Sequence, residues 1–351
     1  MELFLSPGDE GGQTLDRGVD ERAVSLSDGA SERAESFPDP GGDHNSLADQ
    51  GWAVVVPRGE DGERLLELTR PLLDRRAEER GRPVTIYRVK PEMDGPATVA
   101  WRDRVFSSNQ QQEDIPWYVL VLGQPDQVSL AFQQKMSGSS LVGRLAFDQD
   151  EHYQTYVAKV LDWESRPPAQ ELARSLFFTA EDGTAATSLG RDRLMRPTVA
   201  DIRQRRDSGG FAASEVVAIE GQGEDGGDAL LAAAGAGSPS ILMSCSHGMG
   251  APRAGWSSSD RQRALQGSLV LGGGRQLAGA DLLEHPFLPG GLWLFFACFS
   301  AATPADSAYR HWLSRLKQHG EFGDSIGSVL AALPGTDDPP FIAALPKAVL
   351  A

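Results

Sequence analysis

The sequence predicts an α/β protein with mainly parallel sheets, and three observations carry that expectation. The run Trp52-Ala53-Val54-Val55-Val56 is short, apolar and β-branched, the mark of a strand buried on both faces. Segments with apolar residues at helical spacing alternate with such runs, as βαβ units require. The alternation also occurs twice, on either side of Arg166-Pro167-Pro168, a break that reads as a linker. Two side-by-side subdomains are expected, over residues 51–165 and 166–351, preceded by a tail over residues 1–50.

Each element has its own justification. Residues 1–50 are rich in Gly, Asp, Glu and Ser and show no period, so they cannot bury enough apolar area to offset their ordering entropy. A disordered acidic tail is expected there, with a removable pro-segment as the alternative. Leu65, Leu68 and Leu72 with Leu66, Leu73 and Ala77 predict a helix over 63–80, kinked or broken at Pro71. Strands are expected at 84–89, 117–122 and 141–146, and a helix at 152–164. In the second half, strands are expected at 175–179, 216–219, 240–245 and 292–297. Residues 187–205 read as mostly helical, 221–228 as a loop, and 228–235 as a short helix. Gly272-Gly273-Gly274 between two short apolar runs suggests a hairpin. Thr303-Pro304-Ala305-Asp306 resembles a helix start that would run to about Gln318 and stop at Gly320. The terminal run 341–351 is apolar and needs something to pack against, which leaves open whether the C-terminal subdomain is complete.

Composition removes several function classes. The 351 residues suffice for about two domains. With 33 basic and 49 acidic residues the net charge is −16, which argues against a nucleic-acid partner. A hydrophobic fraction of 40% excludes disorder throughout. Two cysteines cannot form a disulfide framework, and no signal-peptide pattern opens the chain, so a cytoplasmic protein is expected. The longest apolar run, Leu292 to Phe299, falls far short of the ~20 residues that cross a bilayer, so no membrane partner is expected.

Chemistry concentrates at His247-Gly248 and Ala297-Cys298. Each pair ends an apolar strand, and the two strands are consecutive apart from the hairpin. Ligands of open parallel sheets gather beyond the carboxyl ends of the strands, so the imidazole and the thiol would share one rim. A cysteine nucleophile needs a group that raises its thiolate fraction or handles protons, and histidine does both near neutral pH. Gly248, without a Cβ, lets backbone approach a substrate and can aim its N–H at a developing oxyanion.

Strand, His-Gly, spacer, strand, Ala-Cys is an order that resembles the caspase–gingipain–CHAT clan of cysteine peptidases. The blocks Ile241-Leu242-Met243-Ser244-Cys245-Ser246-His247-Gly248 and Leu292-Trp293-Leu294-Phe295-Phe296-Ala297-Cys298 carry the likeness. Trp117 to Gly123, Val142-Gly143-Arg144-Leu145 and Val160-Leu161-Asp162-Trp163-Glu164 are similar to the N-terminal subdomain of the gingipain-like branch. The resemblance covers about residues 51–320 and implies a caspase-like three-layer sandwich. It also implies a His247–Cys298 dyad, an oxyanion hole made by the Gly248 and Cys298 amides, and a protein or peptide substrate cleaved after a basic residue. It departs from gingipains in lacking a recognisable secretion signal. The expected activity is that of a cysteine endopeptidase; the alternative is a catalytically inactive scaffold or protein-interaction module.

Other candidates read as structural. Cys245 lies inside its strand and is expected to fill core space. The triglycine matches neither a dinucleotide fingerprint nor a P-loop, and Ser246 and Ser300 lack a G-x-S-x-G elbow. His311 and His319 fit a solvated helix face or its C-terminus. No zinc pattern is present, and neither a cofactor nor a metal is expected. Glu220, Glu224, Asp225 and Asp228 read as a solvated loop.

Overall fold

Valine at three consecutive positions of β3 (Trp52–Pro57) fills both faces of one sheet at once. In a computed structural model, which describes residues 6–7, 13–14, 50–106, 116–167, 172–222, 225–252, 255–283, 285–305, 307, 309–320, 325–332 and 339–351, this strand is wholly buried. Trp52, Val54 and Val56 pack with Leu65, Leu66 and Leu73 of helix α1 (Glu60–Arg80) on one side. Val55 faces Trp101, Phe132 and Met136 on the other. Burying each such side chain is worth roughly 1.5–3 kcal/mol, so the strand is fixed from above and below.

Four parallel strands make this first sheet, in the order β4 (Thr85–Val89), β3, β5 (Tyr118–Leu122), β6 (Leu141–Leu145). Helix α1 runs unbroken through Pro71, so of the kink or break expected there the break does not occur. Buried Leu65, Leu66, Leu72 and Leu73 on both sides of the proline hold it against the sheet, offsetting the lost hydrogen bond. Helices α2 (Gly95–Val105) and α3 (Leu130–Met136) were not expected from periodicity; Asp94 and Ser129 cap them with their side chains. Helix α4 (Asp150–Ser165) covers the face that α1 also covers, through Tyr153.

A second parallel sheet has the order β8 (Val216–Gln222), β7 (Arg174–Glu181), β9 (Ser240–Cys245), β12 (Leu292–Phe296). In both sheets the first strand in sequence lies between the second and the third, with the fourth outside the third. The connections thus leave the first strand in opposite directions, opening a crevice at its carboxyl end between it and the third. Leu176, Phe178 and Leu242 pack on one side with Leu230 of α7 (Asp225–Ala234), and Phe177 packs with Met195 and Val199 on the other. Helix α5 (Ala185–Gly190), a π-helical turn (Arg191–Met195) and α6 (Arg196–Asp207) form that second covering layer. Each sheet thus has helices on both faces, an α/β architecture with mainly parallel sheets.

Several boundaries differ from expectation. The strand expected to stop at 219 extends to Gln222, and α7 starts at Asp225, inside the expected acidic loop. Ion pairs from Glu220 to Arg196 and from Asp228 to Arg275 tie down that acidic stretch. Thr303 does not start a helix; β13 (Ala302–Thr303) pairs antiparallel with β14 (Phe341–Ile342), and the helix α10 begins only at Arg310 and ends at Gln318. The backbone of Thr303 is claimed by a strand far away in sequence, a contact that local capping signals cannot register. The apolar terminal stretch ends in α12 (Ala344–Leu350), whose Leu345 enters the second core while Leu350 packs against the first. Lys159 secures it by donating to the carbonyls of Leu350 and Ala351 at 2.9 Å each. Of the expected N-terminal tail, Ser6–Pro7 (β1) and Gln13–Thr14 (β2) pair antiparallel and Gln50 is buried; the rest lies outside the described residues.

Candidate active site

The crevice of the second sheet is lined by the residues that follow three strands. Strands β9 and β12 are parallel with Cys245 opposite Phe296 as the last pair of the register, and His247 and Cys298 each follow two residues beyond it. The Ser246 amide still donates to the Phe296 carbonyl at 3.3 Å.

Beyond the sheet, the His-Gly segment is held by a second set of bonds. Val270 N donates to the His247 carbonyl at 2.9 Å, and Met249 N donates to the Ser268 carbonyl at 2.8 Å. The Ser246 hydroxyl donates to the Val270 carbonyl. Gly248 and Leu269 face each other in an antiparallel bridge between those two bonds, so neither uses its own N–H in it. The expected hairpin, β10 (Leu269–Val270) and β11 (Gln276–Leu277) around a 3₁₀ turn at Gly272–Gly274, is the clamp that fixes His247.

Gly248 also meets the cysteine loop. A Cβ added there would overlap the backbone carbonyl of Cys298, so only glycine permits this approach. Phe299, next to the cysteine, has φ 58°, a left-handed conformation rare for a side chain of this size. Its carbonyl lies against Gly267, and its ring lies 3.1 Å from where a Cβ on Gly250 would stand. The turn that carries Cys298 is thereby wedged among three glycines. Cys298 is exposed, and Cys245 is buried. Burial pushes the Cys245 thiol upward in pKa, and its sulfur lies against Gly190.

His247 is backed by residues that sequence reasoning missed. Its Nε2 lies 2.9 Å from Thr184 Oγ1 and 3.7 Å from Asp182 Oδ2. Thr187 Oγ1 donates to Asp182 Oδ1 at 2.7 Å, and the Thr184 amide reaches the same oxygen at 3.0 Å. Thr184 Oγ1 and Thr187 Oγ1 are 3.0 Å apart. Burial opposes ionisation of Asp182, yet the Thr187 hydroxyl, the Thr184 amide and hydroxyl, and His247 outweigh it and hold the carboxyl below its ordinary value.

Thr187 donates to the Asp182 carboxylate, and the Thr184 hydroxyl stands within hydrogen-bonding distance of both Thr187 Oγ1 and His247 Nε2. Among the described residues no hydrogen bond joins His247 to Cys298, and no group of His, Cys, Asp and Glu side chains is placed to hold a metal ion. Asp182 and His247 flank the crevice from the ends of β7 and β9. The signal for them was present: Asp182-Gly183-Thr184 is a turn at a strand's carboxyl end, leading into a threonine N-cap.

No protein-family model and no curated protein sequence matches the chain. Among solved structures it is similar in fold to the Arg-specific cysteine proteinase gingipain R, with a TM-score of 0.47 and 13% identity over 71% of this chain and 55% of that one. It is similar also to a complex of the pro- and mature domains of Porphyromonas gingivalis RgpB, at TM-score 0.46 and 11% identity, covering 71% of this chain and 56% of that one. A third structure, described simply as a protease, gives TM-score 0.46 and 14% identity over 72% of this chain and 53% of that one. The chain spans about half the length of these solved structures.

Proposed function

We propose that the chain is a cysteine endopeptidase working through His247 and Cys298. The observation that carries this reading is the backbone contact between Gly248 and Cys298 at the level ends of two parallel strands, with an oriented imidazole beside it. In this reaction Cys298 Sγ forms a bond to the scissile carbonyl carbon, and the C–N bond then breaks. His247 takes the thiol proton and delivers it to the leaving amine. Water, deprotonated by His247, then hydrolyses the thioester. The amides of Gly248 and Cys298 would hold the oxyanion, a role worth about 3 kcal/mol of barrier per donor. Asp182 and Thr184 orient the imidazole. The proposed residue before the scissile bond is basic, in keeping with the net charge of −16.

A second reading is a catalytically silent protein-binding module. It is favoured by the missing His247–Cys298 hydrogen bond and by Leu292, Leu294 and Phe296, which are 67%, 59% and 64% exposed along edge strand β12. Apo catalytic bonds often tighten only when substrate binds, so the first observation is compatible with both readings. A mixed fluorogenic peptide library separates them. Cleavage by the native chain, abolished in Cys298→Ala and retained in Cys245→Ala, supports the peptidase. Absence of cleavage together with no labelling of Cys298 by a thiol-directed probe supports the binding module.

A further inference from the structure

A cavity of about 360 Å³ is lined by residues of α3 and β6 on one side and of β13, β14 and α12 on the other. Its wall is mostly apolar, from Leu130, Ile342 and Leu350, and it carries two cations, Arg144 and Lys347. A volume of this size suits a small organic ligand.

Arg144 is the unusual element. It stands on β6 and donates from Nε to Gln133 Oε1 at 2.7 Å, from Nη1 to the Gly123 carbonyl at 2.8 Å, and from Nη2 to the Val128 carbonyl at 2.7 Å. All these acceptors are neutral, and among the described residues no carboxylate pairs with it. Burial pushes its pKa down to about 10. At least one of the two Nη1 hydrogens stays outside these bonds. Lys347, whose side chain is 17% exposed, bonds to Asp148 at 2.6 Å, but that carboxylate is 69% exposed and largely solvated. A cation desolvated against neutral dipoles alone carries a penalty that a bound anion would relieve.

We propose that this cavity binds a small apolar monocarboxylate, its carboxylate between Arg144 and Lys347 and its hydrocarbon body against Leu130, Ile342 and Leu350. A monocarboxylate balances the one cation of the wall that has no carboxylate partner among the described residues, whereas a phosphate dianion would bring a second charge. Ala301 and Ala302, just beyond Cys298, form part of the same wall, so an occupant touches the segment that leaves the candidate nucleophile. The site goes beyond the peptidase reading and stands without it.

Calorimetric titration of the full chain with octanoate tests the proposal. One saturable site is expected, with octanamide of equal length binding at least tenfold more weakly and Arg144→Gln weakening octanoate at least tenfold. Ala302→Phe, which adds a ring at the cavity wall and leaves both cations in the sequence, should weaken binding at least tenfold. No saturable site, equal affinity for octanoate and octanamide, or unchanged binding in a folded Ala302→Phe variant overturns it. If Arg144→Gln does not fold, the octanoate–octanamide comparison on the native chain decides alone. Peptide cleavage plays no part in these readouts, so failure here leaves the proposed function untouched.

Discussion

His247 and Asp182 face each other across the crevice between β9 and β7, with Nε2 3.7 Å from Oδ2 and the Thr184 hydroxyl 2.9 Å from the same nitrogen. The Thr184 hydroxyl thus joins the imidazole to the hydrogen-bond network around the carboxylate. In the proposed peptidase it is a positioning residue rather than a group that touches substrate.

Thr184→Val keeps the shape and removes the relay. The expected result is a 10–100-fold fall in kcat on the best library peptide with KM little changed, because binding is untouched and proton handling is not. Thr184 also caps α5, so a stability loss of about 1 kcal/mol should accompany the change. Thr184→Ser restores both hydroxyl functions and should recover most of kcat. A serine variant as slow as the valine variant would show that the hydroxyl does not orient His247.

Asp182 should leave a signature in the acid limb of stability. Its carboxyl is held below the ordinary value in the folded chain, so its contribution is complete above the unfolded pKa and is lost as pH falls through the folded one. Denaturant titrations from pH 6 downward should show native stability dropping faster with acidification than in Asp182→Asn, which has nothing left to protonate there. Parallel curves for the two proteins would contradict the assignment.

How much of this was legible beforehand depends on whether the cause was local. The strands around Val54 and Leu120 were readable because burial of residues on both faces leaves a continuous apolar run. That His247 and Cys298 follow neighbouring parallel strands was readable because each closes an apolar run and the two runs are consecutive apart from the hairpin. Thr303 was misread because its partner Phe341 is remote, and Asp182 because its role depends on which strands become neighbours. Leu292, Leu294 and Phe296 mark another limit: an apolar run on an edge strand looks the same in sequence as one in the middle of a sheet.

Gly248→Ala tests whether backbone contact, rather than side-chain chemistry alone, builds the site. The new methyl would overlap the Cys298 carbonyl, so either the His-Gly segment or the cysteine turn must move. Overpacking of this kind costs about 1–3 kcal/mol. Thermal unfolding should show that loss, and cleavage should fall at least tenfold although His247 and Cys298 both remain. Full activity at native stability would mean that the two turns do not need their close approach.

Phe299 offers the opposite experiment, in which strain is removed. A left-handed conformation costs a non-glycine residue about 1–2 kcal/mol, and at 48% exposure the ring recovers only part of that through burial. Phe299→Gly should therefore unfold at the same temperature or higher, while Phe299→Val, β-branched in the same conformation, should unfold lower. Strain kept next to an exposed cysteine is expected where the turn must hold one geometry. The glycine variant, free to leave that geometry, should then cleave peptides more slowly despite its stability. If Phe299→Gly proves both less stable than the native chain and equally active, the φ of Phe299 is neither strained nor used.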